Sequence, residues 1–312
     1  MSTAPYDLKR EVEKQPRLVG GHRLCAGCGA GIVVSNVLRA LEPEDRAVVV
    51  NATSCLEVST FMYPYTAYTD SFLHSAFENS AATCSGVEAA YNALKRRGKI
   101  DETYKFITFG GDGGSYDIGF QSLSGAMERG HDMVYVCYDN EAYMNTGTQR
   151  SGLTPHGART TTTWAGKREN PKDLPRIMEA HGIPYVASTS AVYPTDVYDK
   201  VAKARDMHGL RYIHMNTPCP SGWNFEPKDT VRIGELAVEC GLVVLYEVVE
   251  GAFRLTGRSA ALARRNKALT PVAEYVATQG RFRSMDEETT AEVQAWVDGR
   301  WAGYVARHAA GD

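Results

Sequence analysis

The stretch over residues 106–147, FITFGGDGGSYDIGFQSLSGAMERGHDMVYVCYDNEAYMNTG, decides the fold of this chain. It opens with an apolar run, residues 106–109, which is typical of a buried parallel strand. The run ends in a glycine-rich turn over residues 110–114, where the backbone must bend sharply. An amphipathic segment and a second apolar run, residues 133–138, follow, and the second run leads into Asp139-Asn140-Glu141. The stretch therefore predicts the order strand, turn, helix, strand.

Polar residues follow both predicted strands at the points where the strands end. Because parallel strands of such a unit end at one edge of the sheet, we expect Asp112 and Asn140 to lie close together there, where open α/β sheets bind ligands. Carboxylate, amide and backbone carbonyl oxygens suit Mg²⁺, which often bridges protein to phosphates. Glycines at this turn let backbone N–H groups approach those phosphates. The stretch thus predicts a magnesium and diphosphate site.

Other glycine-rich motifs fit this turn less well. A dinucleotide fingerprint lacks its third glycine because Tyr116 occupies that place, and there is no Gly-Lys-Ser/Thr phosphate loop. A tight turn with a solvated aspartate is the simplest alternative. The spacing from Gly111 to Asn140, 30 residues inclusive with a predicted strand at each end, instead matches the thiamine diphosphate signature GDG…N.

Length and charge exclude some classes of function. With 312 residues and a formal net charge of −3, the chain gives no electrostatic reason to bind nucleic acid or an anionic membrane. The first residues lack the apolar core of a signal peptide, and no apolar run approaches the roughly 18 residues of a membrane span. We expect a cytoplasmic protein with no membrane partner.

Strand and helix patterns alternate along the chain and predict an α/β fold, a mostly parallel sheet with helices on both faces. Residues 1–312 are expected to form a single domain, with residues 1–20 as an extended arm on a partner and a peripheral helix near residues 287–308. A long threonine-rich loop, residues 144–170, is expected to serve a site or a partner. The remaining helices are predicted at residues 32–41, 78–97, 173–181, 194–207 and 231–240, and the remaining strands at 47–50, 184–189, 211–216 and 243–249.

Four of the seven cysteines form a candidate metal set. Cys25 and Cys28 form a Cys-x-x-Cys pair, Cys55 follows a strand, and Cys219 lies between prolines. Such thiols can hold a [4Fe–4S] cluster or a tetrahedral zinc, or act as a redox dithiol. Since 163 residues separate Cys55 from Cys219, a zinc ribbon is disfavoured. The other three, Cys84, Cys137 and Cys240, are expected in the core.

The turn and the cysteines together resemble one family, the β subunits of the 2-oxoacid:ferredoxin oxidoreductases, and within it the pyruvate type. The resemblance covers residues 18–250. The segments that carry it are His22-Arg23-x-Cys25-x-Gly27-Cys28-Gly29, Asn51-Ala52-Thr53-x-Cys55, His74-Ser75-Ala76-Phe77-Glu78-Asn79, Gly111-Asp112-Gly113, residues 139–147, residues 180–185 and Pro218-Cys219-Pro220-Ser221-Gly222-Trp223.

This resemblance implies a thiamine diphosphate-binding fold and roles for individual residues. Cys25, Cys28, Cys55 and Cys219 would ligate a [4Fe–4S] cluster, and Asp112, Asn140 and the carbonyl of Ala142 would hold Mg²⁺. Asn145 would lie near the thiazolium ring and the substrate. The further cofactor contacts would be Thr53, Ser54, Cys55, Gly111, Gly113, Gly114 and Thr146.

The implied activity is oxidative removal of CO₂ from a small oxo-carboxylate, with electrons passed to ferredoxin. An α subunit would supply the glutamate at the cofactor's aminopyrimidine, and a ferredoxin-like iron–sulfur subunit would carry electrons toward external ferredoxin. Two other interpretations are a non-oxidative thiamine diphosphate decarboxylase with zinc or no metal at the cysteines, and a non-catalytic iron–sulfur scaffold subunit.

The long loop departs from the pyruvate-type pattern. Arg159 replaces an apolar aromatic residue, His156 adds potential positive charge, and Trp164 replaces a proline. If the loop lines the substrate cavity, Arg159 favours a second carboxylate, which makes oxalate a candidate beside pyruvate. If Arg159 instead faces solvent or a partner subunit, this preference disappears.

Overall fold

The computed structural model describes residues 6–265 and 268–311, and an eight-stranded sheet runs through it. The strands of this sheet are β1 (Arg46–Ala52), β4 (Ser71–Ser75), β5 (Tyr104–Gly111), β6 (Met133–Asp139), β7 (Tyr185–Ser190), β8 (Leu210–Asn216), β9 (Tyr246–Val249) and β10 (Ala252–Leu255). A separate hairpin consists of β2 (Phe61–Met62) and β3 (Tyr65–Thr66). The strand order is β10-β9-β7-β8-β6-β5-β1-β4, and every pair from β7 to β4 is parallel. The predicted mostly parallel sheet is confirmed.

Helices cover both faces of the sheet, as predicted. They are α1 (Leu8–Glu13), α2 (Gly29–Arg39), α3 (Cys55–Thr60), α4 (Ser80–Arg96), α5 (Phe120–Glu128), α6 (Leu174–Glu179), α7 (Pro194–Asp206), α8 (Pro220–Trp223), α9 (Thr230–Glu239), α10 (Gly257–Arg264), α11 (Val272–Val276) and α12 (Glu287–Ala310). Strand β6 is buried along its whole length. Its Val134 and Val136 pack with α2 and α7, while Tyr135 and Cys137 pack with α4 and α5 on the opposite face. Burial on both faces explains why this strand reads as a continuous apolar run.

The last two strands depart from the parallel order. Strand β9 is shorter than the predicted strand 243–249 and pairs antiparallel with β7, and β10 pairs antiparallel with β9. Between β9 and β10, Glu250 and Gly251 both have positive φ, +49° and +87°. Two left-handed residues in a two-residue turn match the twist of a hairpin, which is why the chain reverses here rather than crossing over.

The N-terminal segment forms a helix and not an extended arm. Asp7 caps α1 by accepting from the backbone N–H of Lys9 at 3.0 Å. Glu11 is fully buried, and Lys14 Nζ lies 3.0 Å from its carboxylate and donates to Leu41 O at 3.1 Å. The extended arm predicted for residues 1–20 is therefore wrong at Leu8–Glu13, where the chain is helical. Residues 14–20 form no helix, and Val19 donates its N–H to Ala67 O of this chain at 2.9 Å; residues 1–5 lie outside the described residues.

The C-terminal helix is present where it was predicted. Tyr304 of α12 is buried and stacks on Phe253 of β10, with ring centroids 5.8 Å apart. The helix thus lies against the hairpin edge of the sheet. Within the described parts of the chain, no helix combines the length and the apolar character needed to cross a membrane.

Candidate active site

A cavity of about 180 Å³ lies at the carboxyl ends of β1 and β5. These strands are neighbours, and the chain runs from β1 outward to β4 but then returns to β5 on the other side. This change of direction creates the crevice in which open α/β sheets bind ligands. Ten of the predicted contacts line the cavity: Thr53, Ser54, Cys55, Gly111, Asp112, Gly113, Asn140, Ala142, Asn145 and Thr146.

Asp112 provides the buried charge of this cavity. It is 2% exposed, and Ser151 Oγ donates to its Oδ2 at 2.5 Å. Burial, together with the neighbouring carboxylate of Asp139, raises the pKa of Asp112 well above its usual range. A buried carboxylate of this kind is costly unless it meets a positive charge.

Asn140 and Ala142 bring two further oxygens close to the Asp112 carboxylate. The sequence predicted that Asp112 and Asn140 would lie together. Turned with its nitrogen inward, the Asn140 amide donates to Asp112 Oδ1 at 3.2 Å and to Ala142 O at 2.9 Å. Turned with its oxygen inward, it makes a cluster of three oxygens around one point. Carboxylate, amide and carbonyl oxygens are the donors that Mg²⁺ takes, so these residues fit the ion.

The turn that carries these oxygens is held in an unusual conformation. Glu141 has a left-handed φ of +67°, which few non-glycine residues adopt. Asp139 Oδ1 accepts from the Glu141 N–H at 2.8 Å, and Thr154 Oγ1 donates to Glu141 O at 2.7 Å. On the far side, Asp139 Oδ2 lies 3.2 Å from His214 Nε2. These contacts point Asn140 and Ala142 into the same cavity.

Glycine is required where the turn meets the cavity wall. A Cβ on Gly113 would lie 1.9 Å from Tyr143 Cε1, so no other residue fits. A single π-helical turn, Gly113–Asp117, begins here and leads into α5, a distortion that is common at functional sites. Gly114 lies behind the wall, against the Phe77 carbonyl, and does not line the cavity.

Five residues at or beside the cavity were missed by the sequence reasoning. Four line the wall and one holds Asp112; they are Phe77, Tyr138, Tyr143, Met144 and Ser151. Tyr143 and Met144 belong to the stretch over residues 106–147, so the sequence could have indicated that they lie at the site. Tyr143 Oη donates to Asp117 Oδ2 at 2.7 Å and so braces the turn. Nothing in the pattern around Ser151 indicates its contact with Asp112.

Three loops bring the four candidate cysteines toward one region beside the cavity. The N–H of Gly29, next to Cys28, donates to Pro218 O at 3.1 Å, next to Cys219. Cys55 begins α3 at the cavity wall. Cys84, Cys137 and Cys240 are buried in the core, as predicted.

The four thiols act on one another electrostatically. Burial raises the pKa of Cys55 to about 12, and the negative charge of Cys219, Cys28 and Cys25 adds to the rise. Burial likewise raises the pKa of Cys219 to about 11. Over residues 6–265 and 268–311, no group of three or more His, Cys, Asp or Glu side chains is already arranged as a metal site. The thiols share a region, and their donor chemistry fits a cationic metal centre that would offset this repulsion.

Arg159 and His156, the long-loop residues considered for substrate binding, lie away from the cavity. Arg159 lies over the ring of Trp164, with Cζ 5.6 Å from the centroid, and lines a separate surface depression. His156 Nε2 lies 3.5 Å from Glu292 Oε2 of α12. The structure therefore does not bring Arg159 or His156 together with Asp112 and Asn145. Asn145 itself is exposed at the cavity wall.

A family model matches residues 52–215 of this chain, the C-terminal thiamine pyrophosphate (TPP) binding domain of thiamine pyrophosphate enzymes. The matched region contains Asp112, Asn140 and Ala142, and it spans β1 to β8. The match therefore falls on the cavity described above.

Characterised relatives match nearly the whole chain. It is 50% identical over 293 residues to pyruvate synthase subunit PorB of Methanothermobacter marburgensis, covering 92% of this chain and 97% of that protein. It is 38% identical over 304 residues to ketoisovalerate oxidoreductase subunit VorB of Pyrococcus abyssi, covering 95% and 96%. A solved structure of 2-oxoglutarate:ferredoxin oxidoreductase from Magnetococcus marinus, with 2-oxoglutarate, coenzyme A and succinyl-CoA bound, is similar with a TM-score of 0.56 at 23% identity. It covers 67% of this chain and 69% of that one, and it supports the fold alone.

Proposed function

This chain belongs to the β subunits of the 2-oxoacid:ferredoxin oxidoreductases, and we propose that it binds the diphosphate end of thiamine diphosphate in an enzyme that oxidises pyruvate. The observation that carries the proposal is the cluster of Asp112, Asn140 and Ala142 oxygens at one sheet edge, with Cys55 on the same cavity wall. That edge holds a place for an anionic cofactor and, beside it, one for an electron carrier.

In this proposal Asp112, Asn140 and Ala142 O hold Mg²⁺ against the diphosphate. The N–H groups at Gly111 and Gly113 and the hydroxyls of Thr53, Ser54 and Thr146 take further cofactor contacts, whereas Gly114, which does not line the cavity, is no longer assigned one. Thiamine diphosphate, when bound, supplies a carbon nucleophile for the 2-oxo group and takes up the electron pair left by CO₂. The chain's own residues orient the diphosphate, and Tyr143 and Phe77 form an apolar wall that keeps water away from it.

Cys25, Cys28, Cys55 and Cys219 are proposed to hold a [4Fe–4S] cluster. Such a cluster takes electrons one at a time, which an oxidative reaction at the neighbouring cavity requires. The Gly29–Pro218 hydrogen bond and the mutual effect of the thiols on their pKa values support this grouping.

The charge of the cavity favours a monocarboxylate substrate. Of the described residues that line it, none is a lysine, arginine or histidine. A dianion such as oxalate would therefore find no cation among the described residues of the cavity wall for its second carboxylate, whereas pyruvate has no second carboxylate. We propose Asn145 as the polar contact for the substrate and assign Arg159 to the surface around the Cys219 loop.

The proposal requires partner subunits. The described cavity wall has one carboxylate, Asp112, and it is committed to Mg²⁺, so an α subunit supplies the glutamate for the aminopyrimidine. A ferredoxin-like subunit then takes electrons from the cluster to external ferredoxin. A reducing compartment such as the cytoplasm suits a protein that needs Cys25 and Cys28 as free thiols.

The test is anaerobic viologen reduction by the natural complex. Four substrates are compared: pyruvate with coenzyme A, ketoisovalerate with coenzyme A, 2-oxoglutarate with coenzyme A, and oxalate alone. We expect pyruvate to give the highest kcat/KM. Reduction by oxalate alone would overturn the substrate assignment and return Arg159 to the substrate site.

Two further results would overturn other parts of the proposal. Release of CO₂ from pyruvate without viologen reduction, in a complex that contains zinc or no metal, would indicate a non-oxidative decarboxylase. A complex that contains iron and sulfide but whose reactions are unaffected by Asp112→Ala would indicate an iron–sulfur scaffold subunit.

A further inference from the structure

Three residues from distant parts of the sequence join the Asn140 turn to the Cys219 loop. Trp223, at the end of the short helix that follows Cys219, donates its indole Nε1–H to Asn140 O at 2.8 Å. The guanidinium of Arg281 lies over the ring of Trp223, with Cζ 3.8 Å from the ring centroid. Arg281 Nη1 is also 2.5 Å from Glu141 Oε2. We refer to Trp223, Arg281 and Glu141 as the bridge.

A second contact packs the segment after the Asn140 turn closely against the Cys219 loop. Met144, which lines the cavity, packs on Gly222 so closely that a Cβ there would lie 2.0 Å from its Sδ. Gly222 also donates its N–H to Cys219 Sγ at 3.4 Å. A shift of the Cys219 loop is therefore transmitted to the cavity wall as well as to the Asn140 turn.

The bridge is buried, so its parts depend on one another. Trp223 is fully buried and Arg281 is 6% exposed. A buried indole N–H needs a hydrogen-bond acceptor, and Asn140 O is the one it has. A buried guanidinium needs both its carboxylate partner and its stacking surface, here Glu141 and Trp223. Moving Trp223 takes its indole N–H away from the Asn140 carbonyl, and moving Arg281 or Glu141 breaks the ion pair between them, although Arg281 also donates to Gln279 Oε1 at 2.9 Å.

The bridge also stabilises the strained part of the site. Glu141, with its left-handed φ, lies between the two proposed magnesium ligands Asn140 and Ala142. Such a conformation is costly for a non-glycine residue and persists where surrounding contacts hold it. The Arg281–Glu141 pair and the Trp223–Asn140 hydrogen bond are two of those contacts.

We propose that the bridge couples the two centres of this subunit thermodynamically: a metal cluster at Cys219 strengthens the binding of Mg²⁺ and thiamine diphosphate at Asn140, and the reverse. The proposal rests on the proposed function for the identity of both ligands. Trp223, Arg281 and Glu141 are positioning residues, since they act on the ligands through Asn140 and the Cys219 loop. Because coupling between two binding sites is reciprocal, each ligand changes the affinity of the other by the same factor.

The experiment measures the Kd of thiamine diphosphate, at saturating Mg²⁺, by calorimetry on the anaerobic complex. It is measured for the iron-loaded complex and for the same complex stripped of iron by a chelator. In the native protein we expect stripping to raise the Kd about fivefold or more, the usual range for coupled sites. Trp223→Phe keeps an aromatic ring under Arg281 but removes the N–H donor, and its two Kd values should differ by less than about twofold.

Trp296→Phe is the matched control. Trp296 is also a tryptophan beneath an arginine, with Arg300 Cζ 4.4 Å from its ring centroid, but both lie on α12 outside the bridge. In this variant the ratio of the Kd of the stripped complex to that of the loaded complex should be the same as in the native protein. If Trp223→Phe does not assemble, Glu141→Gln gives the same comparison, since it removes the charge that pairs with Arg281.

The outcomes separate this proposal from the proposed function. Equal Kd values for the loaded and stripped native complex would overturn the coupling, and so would an unchanged ratio in Trp223→Phe. If Asp112→Ala still abolishes cofactor binding in that case, the proposed function stands without the coupling. A native complex without iron would overturn the proposed cluster, and the coupling with it.

Discussion

Asp112 is buried and lies near the carboxylate of Asp139. Replacing Asp112 is therefore predicted to have opposite effects on cofactor binding and on stability. In Asp112→Asn the side chain keeps its shape but loses its charge, so we expect loss of Mg²⁺-dependent thiamine diphosphate binding. The thermal midpoint without cofactor should stay level or rise, because the cost of burying a carboxyl group beside Asp139 is removed. Calorimetry and thermal unfolding of the complex measure the two effects.

The control for Asp112→Asn is Asp206→Asn, a carboxylate at the end of α7 that pairs with Arg205. It should bind thiamine diphosphate normally. Native affinity in Asp112→Asn would contradict the assignment of the magnesium ligands.

Lys167, in the long loop, predicts a pH dependence. It is 2% exposed, its Nζ donates to Thr154 O at 2.7 Å, and burial lowers its pKa to about 8. The unfolded chain, with a pKa near 10.5, binds more protons between these values, so stability should rise with pH through this window. Between pH 7.5 and 9.5 the free energy of unfolding of the native chain should increase by roughly 1–2 kcal/mol relative to that of Lys167→Met, measured by urea unfolding. A difference that does not change with pH would contradict the shifted pKa.

Individual site residues could be predicted from the sequence where the ends of strands fix their positions. The proximity of Asp112 and Asn140 followed from parallel strands ending at one edge, and the structure confirms it. Ser151 and Arg281 were missed because they reach the site from a loop and from the short 3₁₀ helix Gly280–Phe282, whose course depends on packing that no local pattern reveals. Arg159 has the chemistry of a carboxylate-binding residue, but its loop carries it to a separate surface depression.

At the scale of elements, the cysteine loops predict a clear difference between two alanine variants. Cys219→Ala removes a proposed cluster ligand, so iron and acid-labile sulfide in the complex should fall or become labile to chelators. Cys137→Ala removes a fully buried thiol of β6, so it should lower thermal stability but leave iron content unchanged. Equal iron content in the two variants would contradict the assignment of Cys219.

The alternation of strands and helices was predictable because each element carries its own period of apolar residues. The hairpin of β9 and β10 was not predictable, since the direction of a strand in a sheet depends on which edge of the sheet is free. Its local signal was the pair Glu250-Gly251, which is weaker than the Asn-Gly or Asp-Gly of typical tight hairpins. The first helix was missed because its charged residues resemble a solvated segment.

At the scale of the whole molecule, the proposed function makes the cavity half of an active site. Its described wall has one carboxylate, Asp112, which the proposal assigns to Mg²⁺. We therefore expect this chain, purified alone and reconstituted with iron, Mg²⁺ and thiamine diphosphate, to show no pyruvate-dependent viologen reduction. Addition of the α subunit should restore it. Activity of the chain alone would contradict the proposed division of the site between subunits.

The position of Arg281 in the sequence has a consequence for synthesis of the protein. The chain emerges from the ribosome with its N-terminus first, at about 5–20 residues per second, so Arg281 appears roughly 3–12 s after Trp223. Throughout that interval the strands from β1 to β8 and all four candidate cysteines are already outside, but the guanidinium that pairs with Glu141 is not. A chain that ends before residue 281 therefore lacks one of the contacts that hold the Asn140 turn, together with the helix α12 that packs on β10.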